Sequence, residues 1–203
     1  MPRIDDYYNA AKIAIEALVK EPLSAVAQRG GFESGAACIQ VPFLNRIYRI
    51  HTPDYRFTDE APDSPEVPIQ EQVLILHYLQ SGSERKPSDN WVAYREIPGA
   101  SFYFSAFVKR AIDPLKKTFG QNVQALSKAA EKLSGRPIPA GDAGFEFWLF
   151  PKIPVQLILW EGDAEFPAEA NILFDESVGG MLSPEDIAWL AGMLVYRLMA
   201  LSR

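Results

Sequence analysis

The sequence predicts an α+β fold: antiparallel sheet packed by several helices, with a C-terminal amphipathic helix covering the sheet. Three observations carry this expectation. Strand-like runs gather between Cys38 and Phe57 and again between Phe145 and Phe174, and helical periodicity fills the stretches around them. Strand and helix do not alternate regularly, as a doubly wound sheet requires. Composition is ordinary for a globular chain, with 48% hydrophobic and 23% charged among 203 residues. A chain of this size can bury about 70% of the surface its unfolded form exposes, so a single α+β domain over residues 1–203 is the expected organisation.

Tyr8, Ala11, Ile15, Leu18 and Val19 recur at helical spacing after Asp5 and Asp6, whose carboxylates suit a helix N-terminus, and Pro22 ends the element. A short helix over 23–28 stops at Gly30-Gly31. From Ala36 the period changes to that of strands: Cys38 to Val41, Arg46 to His51 and Tyr55 to Phe57, punctuated by Asn45 and Thr52-Pro53-Asp54, predict a small antiparallel meander. Residues 58–68, with Pro62, Pro65 and Pro68, form a connector. Pro68 opens a helix carrying Ile69, Val73, Leu76 and Leu79, which Gly82 stops. Trp91 to Arg95 reads as a strand broken at Pro98-Gly99, and Ser101 is placed to cap a helix bearing Phe102, Tyr103, Phe104, Phe107 and Val108. Val123, Leu126, Ala130 and Leu133 define a helix closed by Gly135 and Pro137. Phe145 to Phe150 and Val155 to Trp160 predict an edge-side strand and a central, doubly covered one, with Asn171 to Phe174 a third. Ser183-Pro184-Glu185-Asp186 supplies a hydroxyl cap, a proline at the first helical position and two carboxylates before Ile187, Leu190, Leu194 and Leu198.

Charge is distributed unevenly. Residues 1–152 carry 18 acids and 18 bases, whereas Ile153 to Tyr196 hold eight acids and no Lys or Arg, so the net charge of -6 belongs to the C-terminal end. Nucleic acid and anionic membrane both require clustered cations and are therefore not expected partners. No apolar run approaches the length of a membrane helix, and the N-terminus meets two acids before any apolar stretch, which speaks against export. Cys38 is the only cysteine, which excludes an intrachain disulfide and a thiolate cage and suits a reducing, cytoplasmic location. Oligomeric state is not legible.

Trp160-Glu161-Gly162-Asp163-Ala164-Glu165-Phe166-Pro167 places three carboxylates at alternate positions after a buried strand, with aromatic residues on both sides. Such a strand end can bind a small molecule, a cofactor or a partner segment. Its carboxylates can also serve metal-assisted or acid–base chemistry, although the calcium-loop template fails at Phe166 and Ile172. The plainer reading is a solvated turn in which Gly162 supplies an unusual backbone angle. Asp142 either caps a turn or points to the same acidic end. His51 shares a strand face with Arg49, and with Arg46 and Arg56 they concentrate cations on the meander. That cluster either holds an anion or answers the acidic C-terminal region. His77 reads as a hydrogen-bonded boundary residue, Cys38 as a buried small hydrophobe without a nearby base, and the aromatics from Trp91 to Phe107 as core. No nucleophile elbow, phosphate loop or dinucleotide fingerprint is present.

Gly141-Asp142, Trp160-Glu161-Gly162-Asp163 with Glu165-Phe166-Pro167, Ile172-Leu173-Phe174-Asp175 and Leu182-Ser183-Pro184-Glu185-Asp186 together resemble the domain of unknown function 3786 family, an uncharacterised family of anaerobic bacteria and archaea. The resemblance spans most of the chain and is specific from about residue 137 onward. It implies that Asp142, Trp160, Glu161, Asp163, Glu165 and Asp175 belong to a family pattern, and no reaction comes with it. Some relatives are described as iron–sulfur proteins on account of a cysteine-rich segment; with Cys38 alone, this chain does not inherit that attribute.

Overall fold

Alternation of buried and more exposed positions builds the first sheet. In the computed structural model, which describes residues 4–35, 37–61, 64–81 and 86–203, β1 (Cys38–Phe43), β2 (Arg46–His51) and β3 (Arg56–Asp59) form an antiparallel meander in the order β1-β2-β3. Ile39, Val41 and Phe43 of β1 and Tyr48 and Ile50 of β2 are buried, while Gln40 and Arg49 pair in register on the opposite face. The β1–β2 turn places Leu44 at φ 55°. Tyr55, expected in the third strand, instead turns into it at φ 53° and buries its ring.

Contacts group the chain into two compact units, residues 1–85 with 180–182 and residues 86–179 with 183–203. In the first, the meander is joined by α1 (Ile4–Leu18), α2 (Leu23–Gly30) and α3 (Ile69–Gln80). Helix α1 buries Ala11, Ala14 and Leu18 against α3 but leaves Tyr8 and Val19 exposed, so its buried stripe is turned relative to the expected one. Small residues at 11 and 14 explain the choice, because they let the two helices approach. Helix α2 ends as expected, with Gly31 at φ 76° and the Phe32 N–H returning to the Ala27 carbonyl at 2.9 Å. Helix α3 is buried well beyond one stripe, from Val73 to Leu76 and again at Tyr78 and Leu79. The expected stop at Gly82, the strand onset at Ala36 and Pro62 lie outside the described residues.

The second unit is built on a five-stranded antiparallel sheet, β4-β8-β7-β6-β5, from β4 (Trp91–Ala93), β5 (Arg136–Pro137), β6 (Ala143–Phe150), β7 (Ile153–Trp160) and β8 (Glu169–Asp175). The central strand is β7, and Ile153, Pro154, Val155, Leu157, Ile158 and Leu159 are all buried. Strand β4 is shorter than expected. The Glu96 carboxylate accepts the Ala93 N–H at 2.6 Å and bends Tyr94–Glu96 into a 3₁₀ turn. Ser101 caps nothing: Ala100–Tyr103 is itself 3₁₀, entered through Gly99 at φ 80°, and Phe102 is 91% exposed. Tyr94 and Phe107 stack at 4.3 Å, and Phe174 meets both rings edge-on, which makes core of that part of the aromatic run.

Beyond Phe102 the chain continues as α4 (Phe104–Phe107), a π-helical turn (Val108–Ile112) and α5 (Asp113–Phe119), the last of which the sequence does not announce. Pro114 accounts for the π turn: it has no N–H for the carbonyl four residues back, that of Arg110, and its ring would collide with it, so the spiral widens there. Helix α6 (Val123–Lys132) is capped by Asn122, whose side chain accepts the Ala125 N–H at 3.0 Å. Its left-handed exit is Ser134 at φ 56° rather than Gly135, whose bareness serves a close approach to the Phe147 ring. Helix α7 (Pro184–Leu201) begins as the sequence predicts, with Ser183 Oγ accepting the Asp186 N–H at 3.1 Å. It packs against α4, the π turn, α5 and α6.

Gly192 is the point at which α7 passes the π turn, since a Cβ there would stand 3.3 Å from both the Cβ and the carbonyl oxygen of Arg110. Gly192→Leu should therefore force the two helices apart. The expected loss is about 1–3 kcal/mol in urea unfolding, with the m-value retained.

Candidate functional site

The loop after β7 is held by its own carboxylates. Strand β7 ends at Trp160, which pairs with Glu169 at the start of β8, and residues 161–168 bridge the two. Asp142, just ahead of β6, donates its N–H to the Leu159 carbonyl at 2.9 Å, and its Oδ2 accepts the Glu161 N–H at 2.8 Å. Both expected roles of Asp142 thus coincide: it caps, and it lies at the acidic end. Asp163 folds the next turn by itself. Its Oδ1 accepts the N–H groups of Glu165 at 2.7 Å and Phe166 at 2.8 Å, while its own N–H reaches the Phe166 carbonyl at 2.9 Å. Those two amides, Phe166 first and Glu165 second, hold its carboxyl below the ordinary value although it is fully in water.

Gly162 differs from expectation in its reason. It is not among the described glycines at positive φ, a role that Gly141 fills at φ 65°. What Gly162 provides is proximity: a Cβ would lie 2.6 Å from the Ala168 nitrogen and 2.6 Å from Gln121 Nε2. Its N–H donates to the Gly120 carbonyl at 2.9 Å, and Gly120 in turn has room for no Cβ beside Ala168. Neither Gly120 nor Gln121 is marked in the sequence as part of the site. The turn is thereby fastened to the α5–α6 connection.

The remaining groups face water. Glu161 and Glu165 are exposed, with no partner for their carboxylates among the described residues, and Trp160 and Phe166 beside them are 42% and 68% exposed. Glu169 is engaged by Lys116 at 3.1 Å. Trp148 lies on the same sheet face as Trp160, by strand parity through the Trp148–Pro154 pair, and is also exposed.

Asp175 does not join this end. It closes β8 six residues beyond Glu169, about 20 Å along the strand, and is only 1% exposed. Its carboxylate accepts the N–H groups of Ser88 (2.8 Å), Asp89 (2.8 Å) and Ser177 (2.9 Å), and the Ser88 hydroxyl. Burial pushes its pKa up, and the hydrogen bonds from Ser177, Ser88 and Asp89 outweigh burial, leaving it below the ordinary value.

Arg49 and His51 belong to the other unit, on β2. Arg49 Nε meets Glu60 Oε1 at 2.6 Å, Arg46 Nε meets Asp59 Oδ2 at 2.8 Å, and His51 Nε2 lies 2.8 Å from Thr58 Oγ1. The acids that answer these arginines are therefore neighbours at the end of β3, not the C-terminal region. Cys38 is half-buried rather than buried, and His51 stands opposite it in the β1–β2 register, a pairing separated in the sequence by 12 intervening positions. Among the described residues, no three His, Cys, Asp or Glu side chains are grouped so as to hold a metal ion.

Residues 22–197, which include both the acidic turn and Asp175, match the sequence profile of the family described as Domain of unknown function (DUF3786). The chain belongs to that family. The resemblance carried by the residues from Gly141 to Asp186 thus holds, and what DUF3786 membership contributes is kinship without an assigned reaction. No curated protein and no solved structure matches the chain. Among its described residues, no helix is long and apolar enough to cross a membrane.

Two outcomes follow for this DUF3786 chain. Gly162→Ala should cost about 1–3 kcal/mol by denaturant unfolding and broaden the amide resonances of Glu165 and Phe166, because the turn must lift from the α5–α6 connection. Asp175, whose folded pKa is depressed, contributes stability that is complete above the unfolded carboxylate value and is lost as pH falls below about 4. Asp175→Asn should lower stability at neutral pH by about 1.5–3 kcal/mol and flatten the acid limb of a stability–pH curve measured by urea unfolding.

Proposed function

We propose that this chain is a binding or accessory domain, and that the acidic turn after β7 docks a basic segment of a partner protein. The observation that carries this reading is that two exposed aromatic residues, Trp160 at the end of β7 and Phe166 in the turn, flank two exposed and uncommitted carboxylates, Glu161 and Glu165. Fixed backbone lowers the ordering cost of association, and here Asp142, Asp163 and Gly162 fix it. Aromatic faces beside carboxylates suit Arg and Lys, which take a ring face and an oxygen together. Charge favours the same class of partner, since Ile153 to Tyr196 include eight acids and no Lys or Arg. A cytoplasmic setting accords with the single cysteine.

A fluorescently labelled Arg-rich peptide, followed by anisotropy against the full chain, tests the reading. Wild type should bind it with an affinity that falls as salt rises. Glu161→Gln with Glu165→Gln should weaken binding about tenfold, and Phe166→Ala by a similar factor at any salt concentration, because the two remove charge and ring separately. Unchanged affinity in both variants, with unfolding curves like wild type, would remove the turn as the docking site.

A further inference from the structure

Helix α1 carries two apolar stripes, and its own unit uses one of them. Ala11, Ala14 and Leu18 are buried, whereas Ile4, Tyr8 and Val19 are 56%, 55% and 50% exposed, and Ile15 is half-buried at the boundary between the two. At about 100° of turn per residue, Ile4, Tyr8, Ile15 and Val19 point within about 60° of one another, so they form one band along the helix. The Val19 N–H donates to the Ile15 carbonyl at 3.0 Å and keeps the last of them on the spiral. Ile13 is exposed as well, but it projects at least about 120° away from every member of the band.

Members of the band follow one another at intervals of four, seven and four residues, an order that is the same read from either end. A second copy laid antiparallel across it therefore sets Ile4 against Val19 and Tyr8 against Ile15, twice over, about a two-fold axis between Ala11 and Lys12. Charge selects the same direction. Asp5 and Asp6 lie at the amino end of α1 and Lys20 follows its carboxyl end, so reversal brings each acidic end beside the other copy's lysine and opposes the two helix dipoles. A parallel pair would join like with like. Lys12 falls on the rim near the axis, where Glu16 of its own chain supplies a counter-charge at 3.9 Å and its methylene stem extends the apolar band.

We propose that α1 is a self-association surface, through which two copies of this chain pair antiparallel about the band formed by Ile4, Tyr8, Ile15 and Val19. Four side chains from each copy make a small interface, which puts the dimer in the weak, reversible class, with a Kd of about 10–100 µM. The surface belongs to the first unit and does not depend on the acidic turn being a docking site.

Sedimentation velocity of the full chain from about 1 µM to about 1 mM tests the proposal. Wild type should pass from monomer to dimer with no larger species, since a two-fold contact closes on itself. Tyr8→Glu and, separately, Val19→Glu should each raise the dissociation constant at least about tenfold, because each puts a carboxylate into the band. Lys20→Glu should raise it by a smaller factor that shrinks as salt is added. Ile13→Glu, which removes exposed apolar surface outside the band, should leave it unchanged. All four positions are exposed, and circular dichroism checks that each variant keeps its fold. Wild type that stays monomeric over the whole range, which needs no variant to fold, overturns the proposal. So does growth beyond the dimer, or a dimer that Tyr8→Glu and Val19→Glu weaken no more than Ile13→Glu does.

Discussion

A strand covered on both faces hides its backbone from water, so the chain that leaves it must find acceptors and donors at once. Strand β7 sets this problem. Its strand continues to Trp160, and the residues that follow are tied by side chains and neighbouring backbone rather than by more sheet: Asp142 takes the Glu161 amide, Gly120 takes that of Gly162, and Asp163 takes the next turn. The acidic character of this loop is thus partly a consequence of burying β7. The same requirement governs the far end of the sheet, where Asp175 gathers three amides at the exit of β8.

The requirement sorts the acids by length. A short aspartate oxygen stays close to backbone, and Asp142, Asp163 and Asp175 all accept backbone N–H groups, Asp163 within its own turn, Asp142 from Glu161 on a neighbouring segment and Asp175 from both kinds of partner. The longer glutamates around this loop either reach a cation, as Glu169 does with Lys116, or remain in water, as Glu161 and Glu165 do. Six residues that a sequence pattern presents as one set therefore divide between folding and surface roles. Only the second group is free to meet something else.

How far the fold could be read from the sequence follows from how local its causes are. The meander, α2, α3 and the Ser183-capped α7 rest on alternation, a glycine exit, a proline entry and a hydroxyl cap within a few positions, and each stands where those signals put it, apart from Tyr55, which precedes β3. The shortened β4 and the Ala100–Tyr103 turn do not, because Glu96 and Gly99 compete with the strand and helix patterns that Trp91 to Val108 display. The π turn and α5 were hidden behind Pro114, a residue that ordinarily ends a helix. At the candidate site the acids were legible as a cluster, but what fastens them, Gly120 and Gln121, comes from a loop some 40 positions earlier and carries no local mark. Pairing of Arg46 and Arg49 with Asp59 and Glu60 was obscured in the opposite sense: the acids stood nearby in a segment read as connector.

At the proposed docking turn, the exposure of the carboxylates favours recognition over acid–base work. A carboxyl that is to give up or take a proton near neutral pH needs burial or a like charge to raise its pKa. Asp163 has gone the other way, and it has done so by accepting amides that any proton would displace. Protonating it would unfold the turn that presents Trp160 and Phe166. Such a group is useful as a fixed negative charge and a rigid corner, which recognition rewards and proton transfer does not.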